Sequence, residues 1–207
     1  TSTSTAGMSI VVTNCNDSGS GSLRDAVARA LTGDTIDMTG LACTAITLTS
    51  GAIAIPQQDL NFEGPAYWRL TVKGSGDRVF DHQGTGLLRL KKFSVANGGG
   101  DRAYGGCINA RGRVELRGVR VHHCKAGNDS EEAAGGGIYA AGDVSLYDST
   151  VDSNKASPDV LDENRRERSF GGGIYTGGRL RIERSHLCGN AAESRGGRYE
   201  PAIGGGG

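Results

Sequence analysis

Aromatic side chains make up only 5% of this 207-residue sequence, and proline occurs four times. A charge excess is also missing, because 23 basic residues balance 23 acidic ones and the formal net charge is zero. A nucleic-acid partner or an anionic membrane surface would require a basic excess. No apolar run approaches the about 18 residues that a membrane-spanning helix needs. We therefore expect neither nucleic-acid binding nor a membrane span in this chain.

Cysteine is present but lacks the spacing of metal sites. The sequence has no Cys-x-x-Cys pair, which argues against a metal and favours disulfides in an oxidising compartment. The five cysteines are Cys15, Cys43, Cys107, Cys124 and Cys188. Glycine is abundant, with 35 residues, roughly twice its usual share. Without proline or low-complexity runs, this glycine content indicates many tight turns between short strands.

Internal repeats carry the fold prediction. Three segments align without gaps, from Gly106 to Ala126, from Gly136 to Ala156 and from Gly172 to Ala192. Their apolar columns are Ile108, Ile138 and Ile174; Val114, Val144 and Leu180; Leu116, Leu146 and Ile182; and Val121, Val151 and Leu187. A weaker copy precedes them, with Leu88, Leu90, Phe93 and Val95 at the matching spacing.

Each copy alternates apolar and polar residues, which predicts short half-buried strands between tight turns. Such strands cannot bury a core alone and must stack on neighbouring copies. The copies differ in length only after Ala126 and Ala156, so insertions are confined to one corner. We predict an all-β solenoid, a parallel β-helix, over residues 35–207. Its last residues, Gly204–Gly207, look like the start of a further copy, so we expect the array to be truncated there.

Residues 1–34 are predicted to be an N-terminal segment with a capping helix. Ser22 to Asp25 has the form of a capping box in which Asp replaces the usual Glu. Gly33 is expected to be the C-cap. One face of this helix carries Leu23, Val27, Ala30 and Leu31, and it would cover the apolar end of the solenoid.

At this point the residues resemble a known family. Asn16–Arg24 (NDSGSGSLR) and Gly33–Asp37 (GDTID) resemble the N-terminal segment of many bacterial secreted β-helix proteins. The Gly-Gly-Gly-Ile starts at Gly135 and Gly171 are similar to repeats of polymorphic outer-membrane proteins, as are Val151-x-x-Asn154 and Leu187-x-x-Asn190, although that family usually has Phe first. The resemblance implies a right-handed, pectin-lyase-like parallel β-helix, secreted or at the cell surface and often part of a longer anchored protein. It implies no particular reaction, because the fold hosts lyases, hydrolases and adhesins alike.

No constellation predicts a catalytic, cofactor or metal site. His122, Asp152 and Cys188 share a repeat column, but the imidazole of a thiol triad must stand between carboxylate and thiol. Here Asp152 lies between, which separates His122 from Cys188 by two rungs, about 9–10 Å. His122 and His123 are neighbours in a strand, so their rings should point to opposite faces unless a turn lies there.

Two other columns bear on turns and disulfides. Asn154 and Asn190 predict a stacked asparagine ladder at a turn. Cys124 takes the equivalent position one repeat earlier, which would allow a disulfide to Cys107. A Cys15–Cys43 bond would tie the N-terminal segment to an early rung. Five cysteines allow other pairings, and in this one Cys188 is left over.

The segments between repeats are expected to emerge on one side and to form the contact surface. The middle segment contains a basic ligand-contact loop of Arg165, Arg166, Arg168 and Phe170, suited to an acidic glycan or partner, unless neighbouring acids neutralise it.

The leading hypothesis is a secreted or cell-surface β-helix with a structural, adhesive or interaction role and a glycan or surface protein as partner. One alternative is a polysaccharide lyase or glycoside hydrolase, for which paired or clustered acids are needed and only Asp77 and Asp81 are candidates. Another is a self-assembling extracellular filament subunit that associates end to end.

Overall fold

A computed structural model describes residues 7–127, 132–158 and 167–194. The alternating segments form short strands, and the segment with helical spacing forms one short helix. In chain order the elements are β1 (Ser9–Val11), α1 (Leu23–Arg29), β2 (Thr35–Asp37), β3 (Ala45–Leu48), β4 (Ile53–Ile55), β5 (Leu60–Glu63), β6 (Thr71–Gly74), β7 (Phe80–His82), β8 (Leu87–Lys91), β9 (Ser94–Ala96), β10 (Ile108–Ala110), β11 (Arg113–Arg117), β12 (Arg120–His122), β13 (Lys125–Ala126), β14 (Glu132–Ala134), β15 (Ile138–Ala140), β16 (Val144–Tyr147), β17 (Thr150–Asp152), β18 (Lys155–Ala156), β19 (Arg168–Phe170), β20 (Ile174–Thr176), β21 (Leu180–Glu183), β22 (His186–Cys188) and β23 (Ala191–Ala192).

The strands form three long parallel sheets around one apolar interior. Sheet 1 is β1-β2-β5-β8-β11-β16-β21, sheet 2 is β3-β6-β9-β12-β17-β22, and sheet 3 is β4-β7-β10-β15-β20. From β2 onwards the chain visits sheets 1, 2 and 3 in turn, so each circuit adds one strand to every sheet. Two shorter sheets, β13-β18-β23 and β14-β19, flank the segments between repeats. The prediction of an all-β parallel β-helix with a short N-terminal helix is confirmed.

The register of the sheets is the register of the repeats. Val114 pairs with Val144, and Val144 pairs with Leu180. The weaker copy follows the same register, because Leu88 pairs with Val114. Inward columns are buried along the shaft, since alternate residues of a strand face the same side. Three rings meet in this interior, with centroid distances of 5.1 Å for Phe62–Phe80 and 6.5 Å for Phe80–Phe93.

Helix α1 begins as its capping residues predict. The backbone N–H of Asp25 donates to the Ser22 hydroxyl at 3.2 Å, while the Asp25 carboxylate accepts from the N–H of Gly21 at 2.9 Å. The helix packs on β2 and β4 and buries Leu23, Ala26 and Val27 in the core. Its burying face therefore covers the first rungs of the shaft.

The predicted end of the helix is wrong. Helix α1 stops at Arg29, and Ala30, in extended conformation, is the C-cap in place of Gly33. The Gln57 side chain explains the early stop, because its amide donates to the carbonyls of Val27 and Ala30 at 2.9 and 2.8 Å. Leu31, expected on the apolar face, is 72% exposed.

The asparagine ladder lies at the turn after sheet 2. The Asn154 amide donates to the Val121 carbonyl and to Asn190 Oδ1, each at 3.0 Å. Its own oxygen accepts from the Cys124 N–H at 3.0 Å. The ladder therefore satisfies backbone groups that would otherwise be buried without partners.

The structure contains two disulfides, Cys15–Cys43 and Cys107–Cys124, and leaves Cys188 as an exposed thiol. These are the pairs that the repeat columns favour. Disulfides form and persist in oxidising environments such as the cell exterior. Within the described ranges, no helix has the length and apolar character needed to cross a membrane. The glycines at 204–207 lie outside the described residues.

Candidate functional site

The outer face of sheet 3 carries the most distinctive set of side chains. Alternation turns Ile138 and Ala140 inward and Tyr139 outward in β15. The same outward column runs through four successive rungs as Asp81, Asn109, Tyr139 and Tyr175. Because strands β14 and β19 lead directly into β15 and β20, we call this surface the loop-side face.

Four aromatic residues lie together on the loop-side face: Tyr104, Tyr139, Phe170 and Tyr175, here called the aromatic strip. Tyr139 and Tyr175 stack with nearly parallel rings, 5.1 Å between centroids. Tyr104 packs on the other side of Tyr139 at 4.9 Å, and Phe170 meets Tyr175 edge-on at 6.4 Å. Tyr104 and Phe170 are each 38% exposed, so both ends of the strip present aromatic surface to solvent.

The phenol groups of the strip remain protonated well above neutral pH. Partial burial raises the pKa of Tyr104, and the nearby Glu132 carboxylate raises it further. Burial likewise raises the pKa of Tyr139, with a smaller contribution from Tyr175. A neutral phenol both donates and accepts hydrogen bonds, so the strip combines apolar ring surface with hydroxyl groups.

Two polar residues continue the column below the strip: Asp81 and Asn109, here called the polar pair. The Asn109 amide nitrogen donates to Asp81 Oδ1 at 2.7 Å, and Arg78 donates to the same oxygen at 2.8 Å. Partial burial of Asp81 would raise its pKa, but the Asn109 hydrogen bond and the Arg78 charge outweigh it and lower the pKa. Asp81 is therefore a rigidly held carboxylate.

The second acid of this region is also held by an arginine. Arg102 binds both carboxylate oxygens of Asp77, at 3.0 and 3.1 Å. Burial opposes ionisation of Asp77, yet the Arg102 hydrogen bonds dominate and lower its pKa. A glycosidase needs a general acid with a raised pKa. Neither Asp77 nor Asp81 has that property.

The expected ligand-contact loop is only partly described. Arg168 and Phe170 lie in β19 with the same exposed orientation, and Phe170 belongs to the aromatic strip. Arg165 and Arg166 lie outside the described residues. The structure thus brings Phe170 together with three tyrosines that the sequence argument did not single out.

The column of His122, Asp152 and Cys188 has the order deduced from the repeats. Arg120 binds both Asp152 oxygens, at 2.7 and 2.8 Å, and lowers the pKa of this carboxyl. The carboxylate is therefore engaged by a guanidinium. The geometry agrees with the rejection of a thiol triad here.

The two adjacent histidines do converge, contrary to the expectation of opposite faces. Their Nδ1 atoms are 2.7 Å apart, because His123 has a φ of 54° and turns the chain at the strand end. Burial and the Arg120 charge lower the pKa of His122 to about 4. Among the described residues, no group of three or more His, Cys, Asp or Glu side chains is arranged to hold a metal ion.

The other long outer face is occupied by its own ion pairs. On sheet 1, Glu115 accepts from Arg89 and Arg117, each at 2.7 Å, and Tyr147 lies under the guanidinium of Arg117 at 4.2 Å. These contacts link neighbouring rungs and stabilise the sheet. The loop-side face differs because its aromatic strip leaves ring surface exposed.

A sequence signal for the strip existed. Tyr139 and Tyr175 occupy one repeat column, and Tyr104 and Phe170 each precede a Gly-Gly pair at another. The comparison with known proteins adds no relative: no protein-family model, no curated protein and no solved structure matches this chain. The chain is therefore characterised by its architecture, a parallel β-solenoid with two disulfides and one aromatic face.

Proposed function

We propose that this chain is an extracellular β-helix that binds a glycan on its loop-side face. The observation that carries the proposal is the aromatic strip. In a sequence with one Trp, six Tyr and four Phe, four of these residues form one continuous surface patch beside a carboxylate and an amide.

The chemistry of this patch matches that of a sugar. A sugar ring has an apolar C–H face that packs on aromatic surface, and a rim of hydroxyl groups that needs hydrogen-bond donors and acceptors. The strip supplies exposed rings and neutral phenols, while the polar pair supplies fixed oxygens. All of these residues lie on strands or next to them, so the surface is rigid before the ligand arrives.

The compartment of the proposal rests on two supports. Two disulfides suit a chain that folds outside the reducing cytosol. The N-terminal motif and the glycine-rich repeat starts resemble secreted, pectin-lyase-like β-helices and polymorphic outer-membrane proteins. We therefore place the chain in the secreted or surface-displayed group of bacterial β-helices, with an adhesive role rather than a catalytic one.

Affinity gel electrophoresis against a panel of neutral and acidic polysaccharides tests this function. We expect retardation of the wild-type chain by at least one glycan. Tyr175→Ala and Phe170→Ala should each weaken binding about fivefold, because an aromatic contact contributes about 1 kcal/mol. Tyr147→Ala is the matched control, since this tyrosine lies outward on sheet 1, and its affinity should equal that of the wild type.

Three outcomes would contradict the proposal. The first is no retardation by any glycan, and the second is an equal loss of affinity in Tyr147→Ala. The third is release of new reducing ends or unsaturated sugars from the panel, which would identify a hydrolase or lyase. Light scattering over a concentration series separates the filament alternative, for which particle mass would rise with concentration.

A further inference from the structure

The polar pair offers two acceptor atoms that the fold leaves unused. Asp81 Oδ1 is occupied by Arg78 and Asn109, whereas Oδ2 has only a long contact of 3.4 Å from Gln83. Asn109 uses its amide nitrogen to hold Asp81, which points its Oδ1 away, and that oxygen accepts no hydrogen bond from the described residues. Both side chains are half-buried and belong to one column.

From this arrangement we infer that the polar pair is a subsite for a neutral sugar, with Asp81 Oδ2 and Asn109 Oδ1 accepting from neighbouring hydroxyl groups. The inference rests on the proposed glycan-binding function and names the ligand class of that site. The two residues are on adjacent rungs, about 4.8 Å apart. That spacing suits two hydroxyl groups on one sugar ring, while Tyr139 on the next rung adjoins the same ring.

The charges around the subsite select against acidic sugars. Asp81 stays ionised, and a ligand carboxylate placed beside it would meet a like charge, which costs affinity. The nearby arginines do not compensate. Arg78 is 8% exposed and paired with Asp81, and Arg102 is committed to both oxygens of Asp77.

The one exposed cation of β19 lies far from this subsite along the shaft. Arg168 belongs to the rung of Tyr175, three rungs from Asp81 and therefore roughly 14 Å away along the axis. A glycan that lies along the column thus meets a neutral-sugar subsite at one end and the aromatic strip beyond it. Recognition of hydroxyl groups, rather than charge attraction, is assigned to the polar pair.

Isothermal titration calorimetry with matched oligosaccharides tests the inference. The probes are neutral hexasaccharides of glucose, mannose and galactose, each compared with the same sugar oxidised at C6 to its uronate. We expect the wild-type chain to bind its preferred neutral sugar about tenfold more tightly than the matching uronate. Asn109→Ala should weaken neutral-sugar binding about fivefold, the effect of one lost hydrogen bond.

Asp81→Asn provides the charge test. The amide keeps the shape of the carboxylate but removes its charge, so the difference in affinity between neutral sugar and uronate should narrow. Ser145→Ala, outward on sheet 1, is the control and should bind as the wild type does. If Asp81→Asn fails to fold because Arg78 loses its partner, Asn109→Ala still decides the question, since it retains the Asp81–Arg78 ion pair.

The outcomes separate this inference from the function on which it rests. Equal or tighter binding of uronates, with Tyr175→Ala still weakening binding, overturns the neutral-sugar subsite and leaves glycan binding intact. Unchanged affinity in Asn109→Ala does the same. Absence of binding to every glycan overturns both.

Discussion

At the scale of single residues, the shaft contains one buried histidine among apolar side chains. His82 points inward between Ile55 and Ala110 in sheet 3 and is fully buried. Its Nε2 lies 3.0 and 3.1 Å from the carbonyls of Gln57 and Gln58, so this nitrogen carries a proton and donates it. Nδ1 has no partner, which suits a neutral ring and leaves no acceptor for a second proton.

The burial of His82 predicts that acid destabilises the protein before its carboxylates titrate. Burial lowers the pKa of His82, and this effect exceeds the opposing hydrogen bonds and the Asp59 and Asp81 charges. An unfolded histidine takes up a proton near pH 6.5, whereas the folded one resists it. The free energy of unfolding should therefore fall as the pH drops below about 6.5, by up to about 1.4 kcal/mol per pH unit for each such histidine.

Urea unfolding between pH 7.5 and 5, values within roughly one to two units of the histidine pKa, measures this slope. His122 contributes as well, because its pKa is also lowered. His82→Gln should remove about half of the slope, even if it changes the stability at pH 7.5. His186→Gln, at an exposed site, serves as the control. An unchanged slope in His82→Gln would refute the assignment.

At the scale of elements, the N-terminal segment is fastened to the first rungs by both packing and hydrogen bonds. The Asp17 carboxylate accepts from Thr49 and Ser50 and pairs with Arg24 at 2.9 Å. Burial opposes ionisation of Asp17, but these hydrogen bonds lower its pKa. Arg24 also donates to the carbonyls of Gly51 and Ala52. The helix is therefore part of the β-helix rather than an appendage.

The start of α1 was predictable and its end was not. Ser22 and Asp25 act locally, through bonds within four residues, and local signals are visible in the sequence. The end depends on Gln57, which lies about thirty positions away and reaches the helix only after the first circuit has closed. The convergence of His122 and His123 escaped prediction for a similar reason, because the positive φ at His123 follows from the turn and not from residue type.

This difference between start and end yields a paired test at two leucines. Leu23→Ala should lower the free energy of unfolding by about 2–5 kcal/mol, because this side chain is fully buried in the shaft. Leu31→Ala should change it by less than about 0.5 kcal/mol, since that leucine is largely exposed. Chemical denaturation followed by circular dichroism compares the two. Similar losses in both variants would mean that the helix continues beyond Arg29.

At the scale of the whole molecule, the repeats predicted the register because every circuit has the same job of filling one layer of a common core. Inward columns such as Val114, Val144 and Leu180 are constrained by that core. Outward columns are not, so the grouping of Tyr104 with Tyr139 could be found only from coordinates. Local alternation reveals which residues face outward, but not which outward residues of different rungs meet.

The two disulfides act on this whole assembly by limiting the unfolded chain. Cys15–Cys43 joins residues 28 positions apart, and Cys107–Cys124 joins residues 17 positions apart. Loop-closure entropy predicts a loss of about 3 kcal/mol on removal of either bond. We expect this loss for the double variants Cys15→Ala/Cys43→Ala and Cys107→Ala/Cys124→Ala in urea titrations without reductant. Cys188→Ala, which removes only the exposed thiol, should remain within about 0.5 kcal/mol of the wild type.

The corner between the short sheets has a practical consequence. Lys125 and Ala126 pair with Lys155 and Ala156 on one side of it, while Glu132 to Ala134 pair with Arg168 to Phe170 on the other, although the intervening stretches differ in length. The scaffold thus holds its vertical pitch regardless of what is spliced in at that corner. Guest peptides grafted there would be displayed like teeth on a rack, with a step of about 4.8 Å between levels.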